Sequence, residues 1–339
     1  MSDRRVVVTQ RFFDNDTIAY LEKNGCDVVI ADLAAGQADG GLGHDELAEI
    51  LDGAAGWVVG HAKVTRKLLD SLPQLKVISR RGVGYDRVDL SAAEDLGKVV
   101  CIAAGGNDAS VADHTIALML AVGHRFRETQ ARMIEGDFSI LMGSDLFQKT
   151  VGIIGMGRIG RSVAQRLQGF DCRILVTTDG DLPSDAPSSM ETVDLDTLVR
   201  NSDYISIHAP LTEETRFMFD AERIAQMKAG AYLINAARGG LVDDAALLAA
   251  LKNGVIAGAG LDVYLSESDS SYQRITDELI RLPNVIATPH AAASTYEGLA
   301  RTNMVAAQCV VAVLDGKEPA PECVVADGRK GQAEFGETI

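Results

Sequence analysis

Residues 150–167 read TVGIIGMGRIGRSVAQRL: an apolar run, then glycines at 155, 157 and 160, then a helical pattern. A strand turns this abruptly into a helix only where side chains are missing from the turn. Gly155 would permit the tight turn, Gly157 would let backbone approach a ligand closely, and Gly160 would let helix pack on strand. The helix start would then offer backbone N–H groups to a pyrophosphate. The same glycines could serve a turn that only packs. A strand before and a helix after, inside a strand–helix–strand unit, favour the nucleotide reading.

Short apolar runs recur on both sides of this unit. RVVVT, DVVIA, GWVVG, LKVIS and VVCIA fill the first hundred residues, and CRILVT, YISIHA, AYLINAA, AGLDVY and NVIATPH follow VGIIG. Apolar throughout rather than alternating, they predict strands covered on both faces. Amphipathic segments separate them: NDTIAYLEKNG, HDELAEILDG, TRKLLDSLP and DLSAAEDLG early, then helices over 161–168, 194–201, 221–227 and 243–253. Thr65 and Ser91 are predicted N-caps. Helical segments at 111–125 and about 296–314 bracket the second series, which predicts an insertion. Residues 1–104, completed by 296–325, would form a substrate-binding domain; 105–295 would form the dinucleotide-binding domain; 326–339 would be a polar tail. The expected class is α/β: two doubly wound parallel sheets, a Rossmann NAD domain inserted into a flavodoxin-like substrate domain.

The chain's 339 residues are enough for two cores. Its formal charge of −16 argues against nucleic acid and against an anionic membrane surface, both of which need clustered Lys and Arg. Five scattered cysteines (Cys26, Cys101, Cys172, Cys309, Cys323) form no CxxC pair, so neither a metal site nor a disulfide framework is expected. Met1–Arg5 runs straight into an apolar strand rather than a leader's long apolar core, and no stretch reaches membrane-spanning length. A cytoplasmic protein is expected.

The second strand of a dinucleotide fold should end in an acid that accepts from the adenosine ribose hydroxyls. In RILVTTDGD that place falls on Thr178, with Asp179 immediately after. Asp179 and Asp181 would repel a 2′-phosphate, and no Arg or Lys lies near to receive one, so NAD is expected over NADP.

Seven segments in order resemble the D-isomer-specific 2-hydroxyacid dehydrogenases: RGVGYDRVDL, NDASVADHTIALML, VGIIGMGRIG, SIHAPLTEETR, INAARGGLVDDAAL, GLDVYLSE and ATPHAAAST. The resemblance runs from the first strand to about Pro319 and implies a catalytic Arg–Glu–His set at Arg238, Glu267 and His290. Taken alone, Arg238 could be a strand-end surface arginine, Glu267 a solvated loop acid and His290 a capped core residue. The family pattern places Pro after the Glu; here Ser268 follows, which predicts a less rigid Glu267. Reduction of a 2-oxo acid puts hydride on C2 and a proton on its oxygen. His290 as imidazolium would give the proton, a neighbouring Glu267 would favour that charged form, and Arg238 would clamp the substrate carboxylate and polarise the carbonyl.

By the same resemblance Arg158, Ile159, His208, Pro210, Ala236, Arg238 and His290 would line NAD along with the three glycines, and Asp262 would face the nicotinamide carboxamide; the other reading of Asp262 is a cap for the next turn. Val83 and Gly84 would present backbone N–H groups to the substrate carboxylate, with Arg81 beside them. Asn107, Ser110 and Asp113 would hold the connecting helix, while Val111 and Thr115 could touch the nicotinamide end. The segment VVGHAKVT (58–65), where phosphoglycerate enzymes of the family carry arginine, has His61 and Lys63 only. Hydroxypyruvate or glyoxylate is therefore the favoured 2-oxo acid, with 3-phosphoglycerate second. Phosphite dehydrogenase shares the trio but expects a lysine where Val83 stands. An NAD-sensing corepressor is the rival from another class. A homodimer is implied by the resemblance.

Overall fold

The first five apolar runs become β1 (Arg5–Val8), β2 (Asp27–Ile30), β3 (Gly56–Val59), β4 (Val77–Arg80) and β5 (Val99–Ile102). The second series gives β6 (Thr150–Ile154), β7 (Arg173–Thr177), β8 (Met190–Thr192) and β9 (Tyr204–Ile207). It continues with β10 (Tyr232–Asn235), β11 (Gly258–Leu261) and β12 (Val285–Ala287), and β13 (Val324–Asp327) comes last. This computed structural model describes residues 4–34, 37–180, 182, 187 and 189–329. The chain divides into two units, Met1–Asn107 with Ser294–Ile339, and Asp108–Ala293.

The sheet of the first unit runs β13-β5-β4-β3-β1-β2. Its β1–β5 pairs are parallel, and β13 joins antiparallel to β5. Val7, Trp57, Val59, Ile78 and Val100 pack on one face with Leu47, Leu51 and Leu69. Val6, Val8, Val58, Val77, Val99 and Cys101 fill the other face, against Leu21, Ala306 and Val310. Both faces are buried along β1, β3, β4 and β5, which is why these strands show no polar alternation, whereas β2, at the sheet's edge, buries none of its residues and is not covered as its apolar run predicts. Strand order 2-1-3-4-5 is the flavodoxin-like winding, with its switch between β1 and β3.

The sheet of the second unit runs β12-β11-β10-β9-β6-β7-β8. Every pairing in it is parallel. The order reverses between β6 and β9, the place outside the carboxyl ends of the strands where doubly wound sheets take ligands. Val151, Ile153, Ile174 and Val176 pack under the helices Asp108–Gly123 and Arg158–Leu167; Ile205, Ile207, Leu233 and Leu261 pack on the other face.

Several local expectations change. The helix after the glycine turn starts at Arg158, three residues before the predicted 161, because the turn itself supplies its cap. The fourth helix, Leu90–Asp95, is capped by Asp89, which accepts from Ala92 N at 2.9 Å, rather than by Ser91. Ala326 and Asp327, assigned to the tail, are strand: Ala326 is buried in the core and Asp327 is clamped by Arg329 at 2.8 Å. A four-residue edge strand carries too little pattern to stand out. The helix Phe126–Ile134 was not predicted either, since it buries none of its residues in this chain and so shows no core-facing stripe. Asp181 and residues 330–339 of the expected tail lie outside the described residues. Among the described residues no helix is long and apolar enough to cross a membrane.

Candidate active site

The glycine turn joins β6 to the helix Arg158–Leu167. Gly155 stands at φ +91°, and a Cβ there would lie 2.7 Å from the carbonyl oxygen of His208. A Cβ on Gly160 would lie 2.2 Å from the carbonyl oxygen of Gly155, so helix and strand touch through backbone. Gly157 differs from both: it is the N-cap, and a side chain there would meet nothing within 4 Å. A bare helix N-terminus facing open space, with no capping side chain, fits a pyrophosphate. Arg158 is exposed and Ile159 half-buried at the first turn.

At the end of β7, Thr177 Oγ1 donates to the carbonyl of Val193 at 2.9 Å. Thr178 beyond it is half-buried and Asp179 exposed. The acid therefore sits one residue later than the usual place, with its carboxylate in the open. His208 and Pro210 follow β9, and Ala236 follows β10, so all three stand at carboxyl ends of strands adjacent to β6 or one further on. His208 keeps some surface exposure, yet the protein around it pushes its imidazole down to about 4 by desolvation. It is neutral at pH 7, and its Nε2 pairs with Ser206 Oγ at 2.9 Å.

Arg238 lies three residues past β10, in a loop fixed by Asn235. The buried Asn235 amide donates to the Arg238 carbonyl at 2.9 Å and accepts from Ala237 N at 3.1 Å. The guanidinium donates from Nη1 to the Ala237 carbonyl at 2.6 Å. Gly239 presses this loop onto the next: a Cβ there would lie 2.2 Å from the carbonyl oxygen of Tyr264. The turn Leu265–Glu267 begins at that contact.

Glu267 is held at both oxygens. Oε1 accepts from Tyr264 N at 2.7 Å, and Oε2 lies 2.6 Å from His290 Nδ1. The looseness expected from Ser268 does not arise: the turn closes through Ser268 N and Asp269 N onto the Leu265 carbonyl, and Ser268 Oγ adds a third bond to it. His290 follows β12 at φ +52°, a left-handed conformation that costs a side-chain-bearing residue energy. Its backbone N–H donates to the Asp262 carbonyl at 2.8 Å.

Asp262 takes the capping role that the residues alone had offered. Fully buried, it accepts from Thr288 Oγ1 at 2.6 Å, Ala291 N at 2.8 Å and Ala292 N at 3.0 Å, and so holds the loop on either side of His290. His114, from the helix Asp108–Gly123, reaches Thr288 Oγ1 at 2.9 Å. Arg238, Glu267 and His290 thus stand after β10, β11 and β12, three neighbouring strands. A cavity of about 740 Å³ opens beside the pair, lined by Arg127, Tyr264, Glu267, Thr276, Pro289 and His290 among others.

With Nδ1 turned to a carboxylate, the ring's Nε2 is the nitrogen that can exchange a proton with a small ligand, and a guanidinium on the adjacent loop can hold an anion. Asn235, Asp244 and His114 were missed from the sequence. Asn235 lies inside INAARGG and Asp244 inside LVDDAAL, but spacing alone does not say that an amide or an acid turns back to its own loop.

Arg81, Val83 and Gly84 belong to the first unit, in the loop after β4, all half-buried. Burial lowers the pKa of Arg81, with Asp39 opposing the shift. Asp39 itself is buried and accepts from Gly60 N and His61 N, both at 2.7 Å. Asp113 pairs with Arg166 at 2.5 Å, and Thr115 Oγ1 donates to its own helix at the Val111 carbonyl. These contacts support the holding role for Asp113.

A family profile described as D-isomer specific 2-hydroxyacid dehydrogenase, NAD binding domain, matches residues 116–292. The D-3-phosphoglycerate dehydrogenase of Archaeoglobus fulgidus is 37% identical over 305 residues, covering 89% of this chain. This chain spans only 56% of that protein's length. The glyoxylate reductase of Thermofilum pendens is 40% identical over 266 residues, 76% of this chain and 77% of its own. The crystal structure of D-lactate dehydrogenase from Aquifex aeolicus, complexed with NAD and lactic acid, superposes with a TM-score of 0.80 at 31% identity, covering 95% of this chain and 98% of that one. The chain belongs to the D-isomer specific 2-hydroxyacid dehydrogenase family, and its second unit is that family's NAD-binding domain.

Proposed function

We propose that this protein interconverts a small 2-oxo acid and its D-2-hydroxy acid, with Arg238, Glu267 and His290 as the catalytic set. The observation that carries the reading is the 2.6 Å contact from Glu267 Oε2 to His290 Nδ1, on loops adjoining the one that bears Arg238. NAD, when bound, supplies or accepts the hydride. The chain's own residues do the rest. Gly157 and the start of its helix hold phosphate, with Gly155 and Gly160 shaping the turn. His290 exchanges the proton of the substrate oxygen through Nε2, Glu267 fixes the ring and stabilises its cation, and Arg238 clamps the carboxylate. In the first unit, the backbone N–H groups of Val83 and Gly84 are offered to a substrate carboxylate, with Arg81 nearby as a substrate-binding cation, so that unit is read as the substrate-binding domain.

Glyoxylate and hydroxypyruvate are the preferred acids. The loop that would meet a phosphate, 58–65, contributes no arginine, and its Gly60 and His61 N–H groups are already engaged by the buried acid Asp39. A phosphate dianion would meet a carboxylate there. A steady-state panel of glyoxylate, hydroxypyruvate and 3-phosphohydroxypyruvate with NADH tests this: higher kcat/KM for an unphosphorylated acid is expected, and preference for the phosphorylated one would overturn the order. NADH binding with no turnover of any 2-oxo acid would favour a sensor over an enzyme.

The protein acts as a homodimer in this reading, and in the cytoplasm. Phe126, Met133, Ile134, Phe138, Ile140 and Met142 expose a contiguous stretch of apolar side chain on the second unit, which supports self-association. Five buried, free cysteines suit a reducing compartment.

A further inference from the structure

The turn carrying Glu267 is held from outside as well as from within. Tyr264 and Leu265 present consecutive backbone N–H groups. Glu267 takes the first at 2.7 Å, and Asp244 takes the second through Oδ2 at 3.0 Å. Asp244 is 4% exposed and Leu265 1% exposed, so this bond is shielded from water, and without it the Leu265 N–H would be stranded. Asp244 is not needed to cap its own helix, Asp244–Lys252: Asp243 does that, accepting from Ala245 N and Ala246 N. Its side chain is spent on the turn instead. Gly239 packs on the same turn, so the Arg238 loop, the start of the next helix and the Glu267 turn converge on Tyr264 and Leu265.

We propose that Asp244 is a positioning residue for the Glu267–His290 pair: by holding the Leu265 N–H it fixes the turn from which Glu267 reaches His290 Nδ1. Its effect on rate rests on the function proposed above; its effect on geometry does not. Loss of the acceptor should let the turn relax, move Oε2 off Nδ1 and leave the imidazole poorly aimed. A displacement near 1 Å at a proton-transfer group costs about 10²-fold in rate.

The test compares Asp244→Ala with Asp244→Asn, whose amide oxygen can still accept from Leu265. Kinetics with NADH and the best 2-oxo acid would be read beside the His290 ring N–H resonances in NMR spectra of the full chain. Asp244→Ala should lower kcat by about 10²-fold with KM for NADH little changed, and should move or broaden the His290 Nδ1–H signal. Asp244→Asn should restore both. A folded Asp244→Ala with wild-type kcat and an unmoved His290 signal would overturn the proposal, as would an Asp244→Asn as impaired as Ala. Should the Ala variant not fold, Asp244→Ser, polar but too short to reach, is read the same way. If the wild type turns over no 2-oxo acid, the functional reading falls and the His290 signal alone decides the role of Asp244.

Discussion

His290 sits at φ +52°, where a Cβ crowds the following carbonyl at a cost of about 1–2 kcal/mol. The His290 N–H bonded to the Asp262 carbonyl and the Ala291 and Ala292 N–H groups bonded to the Asp262 carboxylate hold it there, and under the proposed function such strain serves to aim the ring. His290→Gly should therefore separate stability from function: kcat falling about 10²–10⁴-fold while Tm stays level or rises. A marked fall in Tm would show that the imidazole was structural. Asp244 gives a second residue-scale prediction. Burial, reinforced by the nearby Asp243 and Glu267, pushes its carboxyl up to about 6. The folded chain thus holds the proton more tightly than the unfolded one, so this group's stabilising share is full below about pH 4 and is lost as pH rises through 6. Asp244→Asn should match wild-type stability near pH 4 and exceed it by up to about 3 kcal/mol at pH 8. Denaturant melts at both pH values check it, and parallel curves with no growing gap would refute it.

At the scale of elements, three strand ends are locked to one another through backbone. The contact of Gly239 with Tyr264 is close: a Cβ there would stand 2.2 Å from a carbonyl oxygen, with no flexible side chain to give way. Gly239→Ala should force the Arg238 loop and the Glu267 turn apart, at a cost of about 1–3 kcal/mol and with a loss in kcat larger than that in NADH affinity. Unaltered kcat in that variant would mean the two loops are not coupled. The helix Arg158–Leu167 follows the same logic at the phosphate end, where Gly160 meets Gly155 backbone and Gly157 stays open.

For the whole molecule, the stretch from Phe126 to Met142 carries a run of exposed apolar side chains: Ile140 is 91% exposed and Met142 83%. Light scattering should give twice the chain mass of 36.0 kDa at micromolar concentration. The double variant Ile134→Asp with Ile140→Asp should fall toward the single-chain mass, because burying two unpaired carboxylates is unfavourable. A wild-type mass near one chain would reject the dimer. The residues spanning Phe126–Ile134 were legible only as a gap in the pattern, since none of them is buried in the core that sequence periodicity reports.

Buried parallel strands had to be apolar and continuous, and a nucleotide turn had to be bare of side chains, so β1–β5, the glycine turn and the α/β winding could be recognised in the linear chain. Local chemistry requires those residue types wherever the fold occurs. Arg238, Glu267 and His290 could be located by motif, but not their mutual aim. Ser268 pointed to a loose glutamate, and only the bond it accepts from Tyr264 N and its contact with His290 Nδ1 showed it fixed. Asp262 and Asp244 were ambiguous acids until the loops they hold were in place. Such roles depend on which N–H groups from distant segments a carboxylate meets, and that is decided by packing across strands β10, β11 and β12, which no spacing along the chain encodes.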